Sequence, residues 1–436
     1  MTLLFLRLLL ILTFLASCNP SSAPAAAPLS AFTPPNILLI VTDDLGWADL
    51  NCYGNPLVKS PNLDALARDG VQFMQAYAAA PIGRPSRSAL QSGLHPARTK
   101  HGELGGNYET LGELAKRAGL KTAHIGKWQL GTGDKSPSAQ GYDHVFAANE
   151  SHPDSYYYPF FTERPQADLL AETQPGDYLT DKLTDHAIDL LDHWRDSTWL
   201  LSLNYYAPHV PLEGRKDQVA AYRALIDSTH WRKFPTLEYA AMVSVIDENI
   251  GRIIDLLREG EQLDNTLVIF TSDNGGLNLA AEGKMLPHTP PTDNGILRGG
   301  KGGLYEGGIR VPFIVHFPAY ATTHFASLEQ VIGTDVFPSV GKALSQGDYA
   351  SSPDGRSFLP LLLGESAHRR PLFWTAPYGD PEGPASAIRQ GDFKLYRDEN
   401  TDSLTYFNLC ALPDESLRMA LPPGEVDLLK ELEARD

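Results

Sequence analysis

Asn36-Ile37-Leu38-Leu39-Ile40-Val41-Thr42-Asp43-Asp44 runs through five consecutive apolar residues and closes on two carboxylates. Such a run leaves no polar face, so it reads as a strand buried on both sides, as strands are inside a parallel sheet. The pattern recurs at Thr266-Leu267-Val268-Ile269-Phe270, which leads into Asp273-Asn274. Short apolar runs alternate with amphipathic helical patterns from Asn36 onward, which predicts an α/β fold with a largely parallel sheet. Further strands are expected at Trp199–Leu203 and Ile309–Phe317. A helix is expected over Pro61–Asp69, with Ser60 as N-cap, Pro61 in the first position and Gly70 past its end. Thr110 and Glu113 form the capping box of a second helix, which stops at Gly119. Met242, Ile246, Ile250, Ile253, Ile254 and Leu257 fall on one stripe of a third.

The composition changes after about Leu344. Ser345–Gly355 reads as a boundary, followed by extended pieces such as Phe393-Lys394-Leu395-Tyr396 and a helical end over Glu425–Ala434. The expected organisation is a main domain over 36–344 and a small α+β domain over 345–436.

The 436 residues include 36 basic and 53 acidic side chains, a net charge of −17. That excludes a general nucleic-acid binder, which needs a basic face, and an anionic ligand would need a local positive pocket. Residues 1–17 read as a signal peptide: Arg7 carries the charge, Leu8–Leu15 the apolar run, and Leu15-Ala16-Ser17-Cys18 the exit. Leu-Ala-Ser-Cys resembles the lipobox of bacterial lipoproteins, which implies export, cleavage before Cys18 and a lipid on its thiol. Residues 18–35 then serve as a Pro/Ala/Ser-rich tether. The sequence leaves open whether Cys52 and Cys410 pair.

Asp43-Asp44 and Asp273-Asn274 both follow buried strands, and ligands bind beyond the carboxyl ends of such strands. Three carboxylates and an amide oxygen make a hard oxygen cage suited to Ca²⁺ ahead of Mg²⁺. Either pair alone is more often a turn or a helix cap. Pro85-Ser86-Arg87, Gly126-Lys127-Trp128, Pro208-His209 and the glycine-dense Arg298-Gly299-Gly300-Lys301-Gly302-Gly303 add cations and an imidazole. Each cation by itself is an ordinary surface charge. Together they suit a tetrahedral oxyanion clamped on a divalent metal.

These stretches resemble the sulfatase family of the alkaline-phosphatase-like superfamily. The matching segments are Pro35–Gly46, Pro81–Arg87, Gly126–Trp128, Ala207–Pro211, Thr271–Gly276 and Arg298–Pro312, with a weaker continuation at Gly391–Leu395. The resemblance implies a large mixed, mostly parallel sheet flanked by helices. It implies calcium ligands at Asp43, Asp44, Asp273 and Asn274, and an arginine steadying the nucleophile loop at Arg87. It further implies sulfate-holding lysines at Lys127 and Lys301, a group assisting the leaving oxygen at His209, and a structural thiol at Cys52. The implied ligand is a sulfated small molecule or glycan.

Two positions depart from the family pattern. The formylglycine position of the family's Cys-x-Pro-Ser-Arg motif is Gly83 in Gly83-Arg84-Pro85-Ser86-Arg87. Glycine has nothing to oxidise, so no formylglycine forms. Gln129 stands where the family has the histidine that expels sulfate, and an amide is not a general base. Ser86 matches a scaffold serine, and Ser88 is the other nearby hydroxyl. Three readings stay open: sulfate-ester hydrolysis with Gly83 standing in for the modified residue; a degenerate sulfatase that binds sulfated glycans; and a phosphatase-like or phosphonate hydrolase with another nucleophile. Specificity is expected in the loops Gly131–Pro175 and Leu277–Gly295. For Tyr156-Tyr157-Tyr158 and Phe160-Phe161 the sequence allows either local packing or sugar stacking.

Overall fold

All seven residues of β1, Asn36–Thr42, are buried, as the apolar run requires. The computed structural model describes residues 34–416 except 101, 105–107, 163–166, 230–234, 279–289, 323, 346–353, 367–369, 378–382 and 412. The leader, Cys18, the core of the Ser345–Gly355 boundary and the Glu425–Ala434 helix lie outside the described residues.

The other strands of the main sheet are β2 (Val71–Tyr77), β3 (Lys121–Gly126), β4 (His144–Phe146), β5 (Trp199–Asn204), β6 (Thr266–Ser272), β7 (Phe313–His316) and β8 (Phe325–Ile332). They lie in the order β4-β3-β5-β1-β6-β7-β2-β8. Only β7 runs against the rest, pairing antiparallel with both β6 and β2. The sheet is therefore mixed and mostly parallel, as expected.

Alternate residues of β1 enter different cores. Leu38 and Ile40 pack under the helices Pro61–Asp69, Leu179–His193 and Leu237–Glu259. Ile37, Leu39 and Val41 face the helices Leu111–Arg117 and Val336–Leu344. The expected stripe from Met242 to Leu257 is buried within the Leu237–Glu259 helix. Truncating one such residue to alanine costs about 2–5 kcal/mol.

Two local expectations change. Pro61–Asp69 is helical as read, but the Ser60 side chain does not cap it. Asp247 does so from the neighbouring helix, its carboxylate accepting from Leu63 N at 2.7 Å and Asn62 N at 3.2 Å. Ser60 Oγ is engaged elsewhere, bonding Asp64 and accepting from Asn51 N. The segment read as one strand, Ile309–Phe317, begins as a helical turn at Glu306–Ile309 and becomes β7 only at Phe313. The Gly307 and Gly308 amides are drawn onto Arg298 O and Tyr305 O, which curls the chain before it can extend.

Strands β9 (Leu372–Ala376), β10 (Ala385–Gln390), β11 (Phe393–Asp398) and β12 (Ser403–Asn408) form a separate antiparallel sheet. Trp374 buries its whole side chain against Tyr77 and donates from Nε1 to Ala78 O at 2.8 Å. Cys52 and Cys410 are free thiols. No described helix is long and apolar enough to cross a membrane.

Candidate active site

β3, β5, β1 and β6 are adjacent and parallel, with Gly126 opposite Asn204, Asn204 opposite Val41, and Thr42 opposite Ser272. Their carboxyl ends are therefore level, and the residues that follow them share one crevice. Asp273 N donates to Thr42 O at 3.1 Å, Lys127 N to Asn204 O at 2.9 Å, and Asp43 N to Ala207 O at 3.2 Å.

Opposite charges fill that crevice. Lys127 Nζ donates to Asp43 Oδ2. Arg87, on the Gly83–Ser92 helix, donates from Nε to Asp273 Oδ2 at 2.8 Å and from Nη1 to Asn204 Oδ1 at 2.9 Å. Its Nη2 lies 2.8 Å from the same Asp273 oxygen and 3.8 Å from Asp43 Oδ1, as ion-pair contacts without hydrogen-bond alignment. Lys301 Nζ donates to Asp44 Oδ2 at 3.0 Å and lies 3.2 Å from His209 Nε2. Asp44 N donates to Asp273 Oδ1 at 3.3 Å, and Asn274 Nδ2 to Asp44 Oδ1 at 2.8 Å. Asp44 reaches these partners from a left-handed backbone, φ 69°, which aspartate tolerates better than most residues.

Burial alone would raise the Asp43 carboxyl, but Lys127, His209 and Arg87 together hold it well below the carboxylate range. For His209, burial outweighs the nearby carboxylates and lowers its pKa to about 4, so the ring is neutral at neutral pH. Its Nδ1 sits 2.8 Å from Val210 O and must donate there, because a carbonyl only accepts. That leaves Nε2 as the acceptor facing Lys301.

Asp43, Asp44 and His209 present ligand atoms that all lie within 4.8 Å of one another. Asn274 Oδ1 is buried with no hydrogen-bond partner among the described residues. An undonated amide oxygen beside buried carboxylates is a donor set that fits a hard divalent cation. His209 joins this group although the sequence suggested a different role for it. Three carboxylates and three cations balance, so a divalent ion would leave the pocket positive inside an acidic protein.

The nucleophile position has a different character. A Cβ built on Gly83 would sit 2.7 Å from Gln129 Oε1 and 2.9 Å from Asp273 Oδ2. Gln129 has a left-handed backbone, φ 63°, and its buried Oε1 accepts no hydrogen bond among the described residues. Ser86 Oγ donates to Ala80 O at 2.8 Å and accepts from Ala80 N, which occupies it as scaffold. Ser88 is fully buried. Asp43, Asp44, Asp273, Asn274, Arg87, Lys127, His209 and Lys301 thus join one contact network, with Gly83 and Gln129 beside it.

In the loop expected to set specificity, His152 stacks on His209 with ring centroids 5.3 Å apart. Tyr156, Phe160 and Phe161 are buried in the core, so packing accounts for them. Tyr156 OH also lies 2.9 Å from His209 O, which steadies that loop. Residues 279–289 of the second loop lie outside the described residues.

Several supporting residues escaped the sequence reading. Asn204 is a polar end on an apolar strand, the same signal that marked Asp43, and could have been found by it. Asp49 accepts from Gly46 N at 3.0 Å and from Tyr239 OH at 2.7 Å, pinning the turn after Asp44. Asn294 Oδ1 accepts from Gly276 N, and its Nδ2 donates to Gly276 O and Gly299 O. It thereby ties the Asn274 turn to the Lys301 loop. Nothing in the local sequence marks either residue.

A family model described as Sulfatase matches residues 35–345. Human N-acetylgalactosamine-6-sulfatase is 31% identical over 371 residues, covering 78% of this chain and 68% of that one. An N-acetylgalactosamine-6-O-sulfatase from Bacteroides thetaiotaomicron is 30% identical, covering 87% and 86%. The solved structure of Ps i-CgsB in complex with k-i-k-neocarrahexaose superposes with a TM-score of 0.77 at 27% identity, covering 92% of each chain. This chain spans 66% of the length of mouse steryl-sulfatase, another relative it matches. The extent of these matches, together with the level strand ends and the charges gathered above them, places the chain in the sulfatase family.

Proposed function

We propose that this protein binds the sulfate group of a sulfated glycan and does not turn it over by the formylglycine route. The observation that carries this reading is the filled space at Gly83, where Gln129 Oε1 lies 2.7 Å from the position a Cβ would take. A nucleophile side chain is absent, and an amide occupies its surroundings. Neither group attacks sulfur or removes a proton near neutral pH.

The remaining groups suit an anion. Lys127, Lys301 and Arg87 offer N–H donors to sulfate oxygens, while His209, whose Nε2 is an acceptor, orients the Lys301 ammonium. Asp43, Asp44, Asp273 and Asn274 would hold Ca²⁺, which supplies positive charge to the sulfate. The glycan class rests on the relatives, N-acetylgalactosamine-6-sulfatase among them, and on the oligosaccharide complex of Ps i-CgsB. All ten site residues belong to a domain over 36–344, with 345–436 as the small domain. Residues 1–17 direct export, and a lipid on Cys18 anchors the protein at the periplasmic or outer surface.

Titration with N-acetylgalactosamine 6-sulfate, alongside sulfate-release assays on that sugar and an aryl sulfate, tests the reading. Binding without release is expected; multiple turnover by the unmodified protein overturns it, and absence of binding removes the glycan assignment. Chelator should lower the unfolding midpoint, because a ligand at a hundred times its Kd stabilises by about 2.7 kcal/mol. An unchanged midpoint removes the calcium assignment. Equal membrane recovery of wild type and Cys18→Ala would exclude the lipid anchor.

A further inference from the structure

The small sheet carries a lysine with no contact to solvent. Lys394, on β11, is fully buried and donates to Glu306 Oε1 at 3.1 Å and Glu415 Oε1 at 2.8 Å. Glu415 Oε2 in turn accepts from Glu306 N at 2.7 Å, and Glu306 Oε2 accepts from Tyr77 OH at 2.8 Å. Arg310 and Arg389 lie 3.6 Å from Glu306 Oε2 but spend their hydrogen bonds on Met74 O, Gln75 Oε1 and Gly391 O. Among the described residues, Lys394 is therefore the cation that hydrogen-bonds Glu306.

Glu306 opens the helical turn that follows the Lys301 loop. Gly307 N donates to Arg298 O at 2.7 Å, closing that loop on itself. Gly275 N donates to Gly308 O at 2.9 Å, joining the turn just after Asn274. A Cβ on Gly275 would collide with Gly307 O, so the two backbones touch with nothing between them. Such a contact transmits displacement without side-chain slack.

We propose that Lys394 is a positioning residue for the sulfate pocket, fixing Lys301 and Asn274 through Glu306 and the Gly307-Gly308 backbone. The inference rests on the sulfate-binding reading above. A buried lysine between two carboxylates holds one geometry, because removing it leaves two adjacent buried anions. The Glu306 turn then shifts, and both pocket segments move with it.

The test compares full-length wild type, Lys394→Met, and Lys394→Met/Glu415→Gln, in which the surplus anion is removed to protect folding. Calorimetric titration with inorganic sulfate and amide hydrogen exchange are both measured. Sulfate affinity should fall about tenfold or more in both variants, with faster exchange at the Gly275 and Gly307 amides than elsewhere. A double variant with wild-type affinity and wild-type exchange at those amides overturns the proposal. So does uniformly faster exchange across β9–β12 and the pocket, which would mark a general stability effect. If wild type itself fails to bind sulfate, the sulfate reading fails, and exchange at Gly275 and Gly307 alone decides the positioning role.

Discussion

The two sides of the pocket differ in how their polar atoms are satisfied. On the anion-holding side, Asp43, Asp44 and Asp273 each contact at least one of Arg87, Lys127 and Lys301, in a buried network. On the nucleophile side, Gly83 has no side chain and Gln129 Oε1 has no partner among the described residues. Removing one member of a buried ion network leaves an uncompensated charge, at a cost of about 3–5 kcal/mol. The anion-holding side is thus bound to the stability of the fold. A nucleophile or a base outside that network can change without that penalty, so chemistry can be lost while binding geometry persists.

The largest expected effect comes from rebuilding the nucleophile side. Gly83→Cys, coexpressed with a formylglycine-generating enzyme, restores the Cys-x-Pro-Ser-Arg motif. Alone it meets Gln129 Oε1 and lacks a base, so one covalent event with slow release is expected. Adding Gln129→His should raise steady-state sulfate release by on the order of 10²–10⁴-fold, the usual contribution of a positioned acid–base group. Burst and steady-state rates, read after mass spectrometry has verified the aldehyde, measure this. A double variant that carries the aldehyde and stays inert would show that the two sides have diverged together.

Breaking the other side should act on stability. Arg87→Met leaves Asp273 buried without its guanidinium and should cost about 3–5 kcal/mol in denaturant unfolding. It should also weaken sulfate binding. Gln129→Ala, from the unpaired side, should lie within about 1 kcal/mol of wild type. Equal losses in the two variants would erase the contrast.

The smallest effect uses a carboxylate outside the pocket. Burial raises the Asp247 pKa from 3.8 to about 6, against hydrogen bonds from Leu63 and Asn62. Between these values the folded chain holds a proton that the unfolded chain has released, so stability falls as pH rises through that window. Asp247→Asn should flatten unfolding free energy between about pH 4 and 6, by about 2 kcal/mol over the range. An unchanged slope would assign the acid dependence to the pocket carboxylates instead.

Much of this was legible from short-range pattern. The apolar runs at Ile37–Val41 and Thr266–Phe270 fixed β1 and β6 because a continuous apolar strand has nowhere to sit except between two cores. The polar residues at their ends marked the site, since parallel strands deliver their carboxyl ends to one edge. Thr110 with Glu113 set a helix start, as both partners lie within one turn. By contrast, Ser60 looked like a cap, but Asp247, distant in sequence, supplied a stronger acceptor.

The sequence alone determined the α/β class, the family motifs and the two missing reactive groups, because residue identity is enough to show that glycine cannot carry an aldehyde or glutamine a titrating proton. Tertiary structure alone decided the rest. It set Gln129 against Gly83, gave Asp49 and Asn294 their tasks, and buried Lys394 between Glu306 and Glu415. Most of these contacts join segments far apart in the chain, as Tyr239 to Asp49 and Lys394 to Glu306 do, and no local pattern encodes them.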